Sequence, residues 1–228
     1  MLAIFTVQHQ VSRSSSKLIS VSMCNSLYNN KLRIPICLII AISAISGTSI
    51  AQESAISQRP LARASKLVAV PVIDGDVLND PAWEAGVPIT GFTQIRPNEG
   101  QPATQRTEVF VGFTDSAMYV GVVAFDDDPS GILVTDSRRD SSLDDTDAFL
   151  FIVDGLLDRQ NGFVFGTNPA GMEFDGQVVK EASGRFSAGG GGFNQNWDGS
   201  WTVRAQTGAF GWSAEFEIPL RTLRFGTA

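Results

Sequence analysis

The feature that most constrains the fold of this chain is the stretch from Asp144 to Gly176, D-D-T-D-A-F-L-F-I-V-D-G-L-L-D-R-Q-N-G-F-V-F-G-T-N-P-A-G-M-E-F-D-G. Ala148 to Val153 is an unbroken apolar run of strand length, as expected where both faces of a strand are covered. Gly162 to Gly166 supplies a second run through Phe163, Val164 and Phe165. Between the two lies D-G-L-L-D-R-Q-N-G, with glycines and polar residues where a chain reversal belongs. A third short strand is expected at Met172 to Phe174, after the turn-like N-P-A-G. The stretch therefore predicts a buried central hairpin and one more strand, with an acidic rim before the first.

The first 51 residues have another character. They contain no Asp or Glu and only Arg13, Lys17, Lys31 and Arg33 as basic residues. Ile34 to Ile45 is an apolar core of secretory length, short for a bilayer span. Lys31 and Arg33 precede it, and S-G-T-S-I-A follows, with Ser49 and Ala51 spaced as a signal peptidase requires. Residues 1–51 thus read as a signal peptide region cleaved after Ala51, with Met23 as an alternative start. Export follows, to the periplasm, the outer membrane or the exterior.

Cleavage would remove Cys24, Cys37 and His9, the only cysteines and histidine. Disulfides, thiol nucleophiles, Cys/His zinc sites and Ser-His-Asp triads are then all excluded. The remainder keeps 24 acids against 13 basic residues, a net charge of −11. No basic stripe is present to meet nucleic acid. About 175 residues suffice for one core of ordinary size.

Residues 52–66 are polar and read as a linker, and the domain is expected to occupy 67–228. L-V-A-V-P-V-I from Leu67 predicts a first strand, placed at an edge by Pro71. Asp80-Pro81 is a helix start, with the carboxylate as cap and proline at the first position. Trp83 on that short helix reads as a plug over one end of the core. Thr107–Phe113 and Met118–Phe125 flank T-D-S-A and predict a hairpin, and Ile132–Thr135 a further short strand. S-A-G-G-G-G at 187–192 reads as a long mobile loop, since no Lys-Ser/Thr follows to make a phosphate cradle. Trp201–Thr207 and Trp212–Ile218 predict two more strands, and Pro219–Leu223 a helical turn. Eight or nine short strands without a long amphipathic helix predict an all-β fold, an antiparallel, jelly-roll-like β-sandwich.

Two sets of residues could carry chemistry. Asp126, Asp127 and Asp128 follow one strand, and Asp144, Asp145 and Asp147 precede another. Crowded like charges need a hard cation or arginine to offset them, so structural calcium is one expectation. A rim paired with Arg138 and Arg139 is a second, and a catalytic carboxylate pair is a third. Among the aromatics, Trp201 and Trp212 begin strands and read as core. Trp197, between Asn196 and Asp198 in a polar loop, is the candidate platform for stacking on a sugar ring.

An ordered series of motifs carries a resemblance. I-D-G-x-x-L-x-D-P-A-W, M-Y-V-G-V-V-A-F-D-D, D-D-T-D-A-F-L-F-I-V-D, N-P-A-G-M-E-F-D and G-W-S-A-E-F-E-I-P-L-R-T-L-R-F together resemble the carbohydrate-binding module family 9-like domain across Val70 to Phe225. They look most like the version that opens large bacterial exported proteins with a second, outer-membrane-associated region. The resemblance implies a β-sandwich with bound calcium and, in xylanase-attached members, sugar chain ends held between two tryptophans. Two departures stand out. The position matching the first clamp tryptophan lies near Asp144, where no Trp occurs, and the second lies beyond I-P-L-R-T-L, where this chain stops. The last strands of the sandwich are also expected to be missing, which would leave a long edge exposed.

The leading functional expectation is therefore a noncatalytic carbohydrate-binding module of an exported protein, an appendage to a glycoside hydrolase in carbohydrate catabolism. The alternatives are a structural or interaction domain of an outer-membrane protein, joined to a barrel beyond Ala228, and a glycoside hydrolase using the rim carboxylates.

Overall fold

Alternating burial on the longest strands determines how the layers assemble. In the computed structural model, residues 2–11, 15–20, 62–158, 160–179 and 192–223 are described, the first two segments by their backbone. Strand β1 is Leu2–Val11, β2 Ser15–Ser20, β3 Ser65–Lys66, β4 Thr107–Phe113, β5 Ala117–Phe125 and β6 Ala148–Asp154. The rest are β7 Gly162–Thr167, β8 Phe174–Val178, β9 Phe193–Asn194, β10 Thr202–Gly208 and β11 Gly211–Pro219. Three short 3₁₀ turns, Pro81–Trp83, Pro129–Gly131 and Leu220–Leu223, complete the elements. All the contacts below lie within the unit formed by residues 1–22 and 62–228.

One sheet has the order β2-β1-β6-β7-β8-β9 and the other β10-β11-β5-β4-β3. Every strand pair is antiparallel except β3 with β4. The sheets face each other across an aromatic core. Phe151 of β6 meets Phe216 of β11 edge-on at 5.2 Å, and Phe165 of β7 meets Trp201 at 5.3 Å. Trp201 in turn stacks on Phe216. The chain is a β-sandwich, as the strand pattern predicts.

The continuous apolar runs have the predicted cause. In β6, Phe149, Phe151 and Val153 enter the central core, while Ala148 and Leu150 pack on the opposite face with Leu143, Met172 and Phe174. In β5, Met118, Val120, Val122 and Ala124 point into the central core, and Ala117, Tyr119 and Val123 join Val77 and Trp83 outside it. Period-2 alternation thus feeds two apolar layers at once.

Three strand expectations need correction. Leu67 to Ile73 is not a strand: pairing stops after Lys66 and the Leu67 N–H to Phe113, and Val68, Val70 and Val72 are exposed. Ile132–Thr135 makes no ladder either, because the Leu133 N–H is taken by the Asp147 carboxylate at 2.7 Å. The strand expected at Met172 starts instead at Phe174, since the Asn168 carboxamide oxygen accepts the Ala170 and Met172 N–H groups and prolongs the turn.

The N-terminal hairpin was not expected in the fold. β1 pairs with β6 over seven residues, from Leu2↔Asp154 to Gln8↔Ala148, so the outer edge of β6 is covered. The leader features at Lys31–Ala51, the alternative start at Met23, most of the linker (52–61) and the glycine-rich loop up to residue 191 lie outside the described residues.

Candidate functional site: a tryptophan cleft over a buried carboxylate

Two buried carboxylates organise the two halves of the sandwich. Asp175 on β8 is fully buried. Its Oδ2 accepts the indole N–H of Trp201 at 2.9 Å and the backbone N–H of Gly199 at 2.8 Å. Arg139 reaches the same carboxylate at 3.2 Å and also pairs with Asp198 at 2.6 Å, Glu173 at 2.5 Å and Asp140 at 3.5 Å. Burial pushes the Asp175 carboxyl up, opposed by Gly199, Trp201 and Arg139. Four carboxylates around one guanidinium leave this corner negative.

The locked Gly199 fixes the loop above it. Trp197 lies against Phe163 of β7, centroids 4.7 Å apart, and edge-on to Phe165 at 6.1 Å. A Cβ on Gly199 would approach the Trp197 ring to 2.6 Å, so only glycine lets the indole cross the backbone here. Trp197 stays half-buried and lines a cleft of about 200 Å³ with Asp198, Gly199, Ser200, Arg221 and Thr222. Thr222 donates to the Ser200 carbonyl at 2.7 Å, which ties the turn after β11 to the tryptophan loop. The cleft joins one aromatic wall to several hydrogen-bonding groups.

A second fully buried carboxylate with a tryptophan donor is Glu215 on β11. Its Oε1 accepts the Trp83 indole N–H at 2.9 Å, and its Oε2 accepts the N–H groups of Asp74 and Gly75 at 3.1 and 3.0 Å. Ser213 donates to the Gly75 carbonyl at 2.6 Å. Gly75 has φ +95°, and a Cβ there would meet the Ala205 backbone at 2.8 Å, so Asp74-Gly75 is a turn that only glycine completes. Asp80 caps the Pro81–Trp83 turn through the Ala82 N–H, as its sequence predicts. Trp83 is buried, the plug its sequence suggests, and its indole is held by a charge. Burial pushes Glu215 up, against the pull of Trp83, Gly75 and Asp74.

The six aspartates singled out for metal binding are placed separately. Asp126 accepts the Asp128 N–H at 2.8 Å, and Asp128 takes the Ser130 hydroxyl at 2.5 Å, which closes the bend after β5. Asp127, Asp144 and Asp145 are exposed, whereas Asp147 is buried with Oδ2 on the Leu133 N–H. Among the described residues, no three Asp, Glu, His or Cys gather to hold a metal ion, so these six do not fit a shared calcium centre. The arginines expected to pair with that rim serve other acids: Arg138 bonds Asp136, and Arg139 bonds the Asp175 cluster.

Trp201 and Trp212 are buried, as their places at strand starts predict. Sequence reasoning did not single out Asp175, Glu215, Phe163 or Arg221. The only signal for the carboxylates was an acid inside a strand with a strongly apolar face, which has to be paired if it is buried. Comparison with known proteins returns no matching family model, no matching curated protein and no matching solved structure.

Proposed function

We propose that this sandwich is a noncatalytic carbohydrate-binding module of an exported protein, and that Trp197 is its stacking platform. The observation that carries the reading is the Trp197 cleft, an indole backed by Phe163 with Asp198, Ser200, Arg221 and Thr222 around it. Sugar rings need this combination, since their C–H faces stack on aromatics while their hydroxyls seek polar partners. At about 200 Å³ the cleft is smaller than the roughly 300–1,000 Å³ typical of drug-sized ligands. It suits one unit of a glycan. The surplus negative charge around Arg139 favours neutral sugars over uronates.

A second reading, an interaction domain of an outer-membrane protein that binds no sugar, is favoured by one feature. Among the described residues Trp197 is the single aromatic residue lining the cleft, whereas the two-tryptophan clamp of the resembled family needs a facing partner. A hydrolase draws less support. The two carboxyls pushed upward, Asp175 and Glu215, are fully buried and tied to indole and backbone N–H groups, out of reach of a glycosidic oxygen.

The test is a glycan array on the intact chain, with and without calcium. Binding should fall about tenfold or more in Trp197→Ala, equivalent to at least about 1.4 kcal/mol. Failure of the folded protein to bind any glycan would leave the interaction domain as the better reading.

A further inference from the structure

The Trp197 cleft has a neighbour. A second cavity, of about 170 Å³, is lined by Gly155, Leu156, Asn161, Gly162, Phe163 and Gln177. Phe163 is therefore a wall of this cavity, while the indole resting on it is a wall of the first. The two clefts flank a single aromatic ridge.

The sequence builds the second cavity at the end of the β6–β7 hairpin. Phe163 and Gln177 are directly opposed in the β7–β8 ladder, so their side chains share a face. Gln177 is half-buried, and its carboxamide makes no hydrogen bond among the described residues. It offers a donor and an acceptor beside the Phe163 ring. Leu156 is 57 % exposed, an apolar residue kept at the mouth with no packing role in the core. The next residue, Leu157, has φ +57°, a conformation uncommon outside glycine that tends to persist at ligand-contacting loops. Asn161 is fixed in place by its bonds to Asp158.

We infer that the two cavities are consecutive subsites of one groove, which takes a linear neutral glycan of at least two sugar units across the Phe163–Trp197 ridge. This rests on the carbohydrate reading above and adds the length and path of the ligand. Each cavity is of a size for one sugar unit, and each has one aromatic wall and its own hydrogen-bonding groups. A chain with repeated ring faces and hydroxyls matches that repetition, and a single ring does not. Linking two weak contacts in one ligand raises affinity without any new contact.

The experiment is calorimetric titration of the intact chain with mono-, di- and tetrasaccharides of β-1,4-linked glucose, xylose and mannose. For the series that binds, affinity should rise about tenfold or more from one unit to two. Leu156→Ala and Gln177→Ala should each weaken the disaccharide severalfold and leave the monosaccharide unchanged, with unaltered thermal unfolding as the folding control. Trp197→Ala should weaken both. Equal affinities for one and two units, with binding still lost in Trp197→Ala, would overturn the two-subsite groove and spare the carbohydrate reading. Binding to none of the series would remove both.

Discussion

The two sheets solve the same problem in different ways, and the contrast separates scaffold from site. Each buries a carboxylate and gives it a tryptophan indole as hydrogen-bond donor. Glu215, in the β10-β11-β5-β4-β3 sheet, is served by Trp83 and two backbone N–H groups, and no ion pair is formed with it among the described residues. This arrangement clamps the I-D-G turn and the tryptophan plug onto the outer face of β11. Asp175, in the other sheet, adds Arg139, which is 37 % exposed and shared with three further carboxylates. A sealed carboxylate ties chain segments together. A buried carboxylate whose arginine partner reaches solvent also fixes a surface loop, here the one that presents Trp197.

The sheets differ as well in how they end. The first terminates in the two-residue strand β3, which offers little edge for pairing. The other depends on β1 to cover β6, a strand buried on both faces. Removing residues 1–51, the segment that carries the leader features, would bare seven ladder positions of β6. The largest effect is expected there: concentration-dependent self-association of the shortened chain in light scattering and sedimentation. A monodisperse, stable monomer would show that β6 does not need this cover, and the contrast between the edges would fail.

Next in size is the pair Glu215→Ala and Asp175→Ala. Glu215→Ala leaves the Trp83, Asp74 and Gly75 donors without their acceptor, and at roughly 1–3 kcal/mol for each buried donor we expect a loss of about 4 kcal/mol. Asp175→Ala strands two N–H groups, but Arg139 keeps its solvent-facing partners, so about 2–3 kcal/mol is expected. Urea unfolding measures both. The ligand readout sharpens the difference: Asp175→Ala should also weaken glycan binding, and Glu215→Ala, where it folds, should not. Equal costs with no binding effect would make the two carboxylates equivalent.

The smallest effect is the pH dependence. Both carboxyls bind a proton more tightly in the fold than in the unfolded chain. Their contribution is therefore complete below the ordinary carboxylate value, 4.5 for Glu215, and declines as pH rises through the raised folded value. The stability gap between the native chain and Glu215→Gln should narrow from pH 4 upward. Half-buried Asp136 and exposed Asp158 run the other way: hydrogen bonds lower them, so their contribution fades as pH falls. A gap that widened with pH would mean that the hydrogen bonds to Glu215 outweigh its burial.

Much of the sandwich was legible in the sequence. Both central hairpins, the β10–β11 pair, the Asp80 cap and the buried tryptophans follow from local rules of alternation, turn chemistry and capping. L-V-A-V-P-V-I misled because β propensity is high there, whereas the chain has to leave the ladder to bring Asp74-Gly75 to Glu215. Adjacency in sequence does not make the aspartate clusters one location: Asp126 and Asp128 serve the bend after β5, Asp147 holds the Leu133 N–H, and among the described residues no three carboxylates gather to hold a metal ion. Trp197 could be singled out from its polar loop, but the residues that give it a cleft, Phe163, Arg221 and Thr222, come from distant segments.

By itself, the sequence determined the class of fold and the strands that form its core, because period-2 burial and glycine- and proline-marked turns are properties of neighbouring residues. It could not determine which outward faces are covered. On β11, Trp212, Ala214, Phe216 and Ile218 alternate with Ser213, Glu215 and Glu217, a pattern that reads as half core and half solvent. Only the tertiary structure, by folding the I-D-G turn and Trp83 over that polar side, made Ser213 and Glu215 interior. Burial of a polar residue depends on a segment some 140 positions away, and local alternation carries no information about that partner.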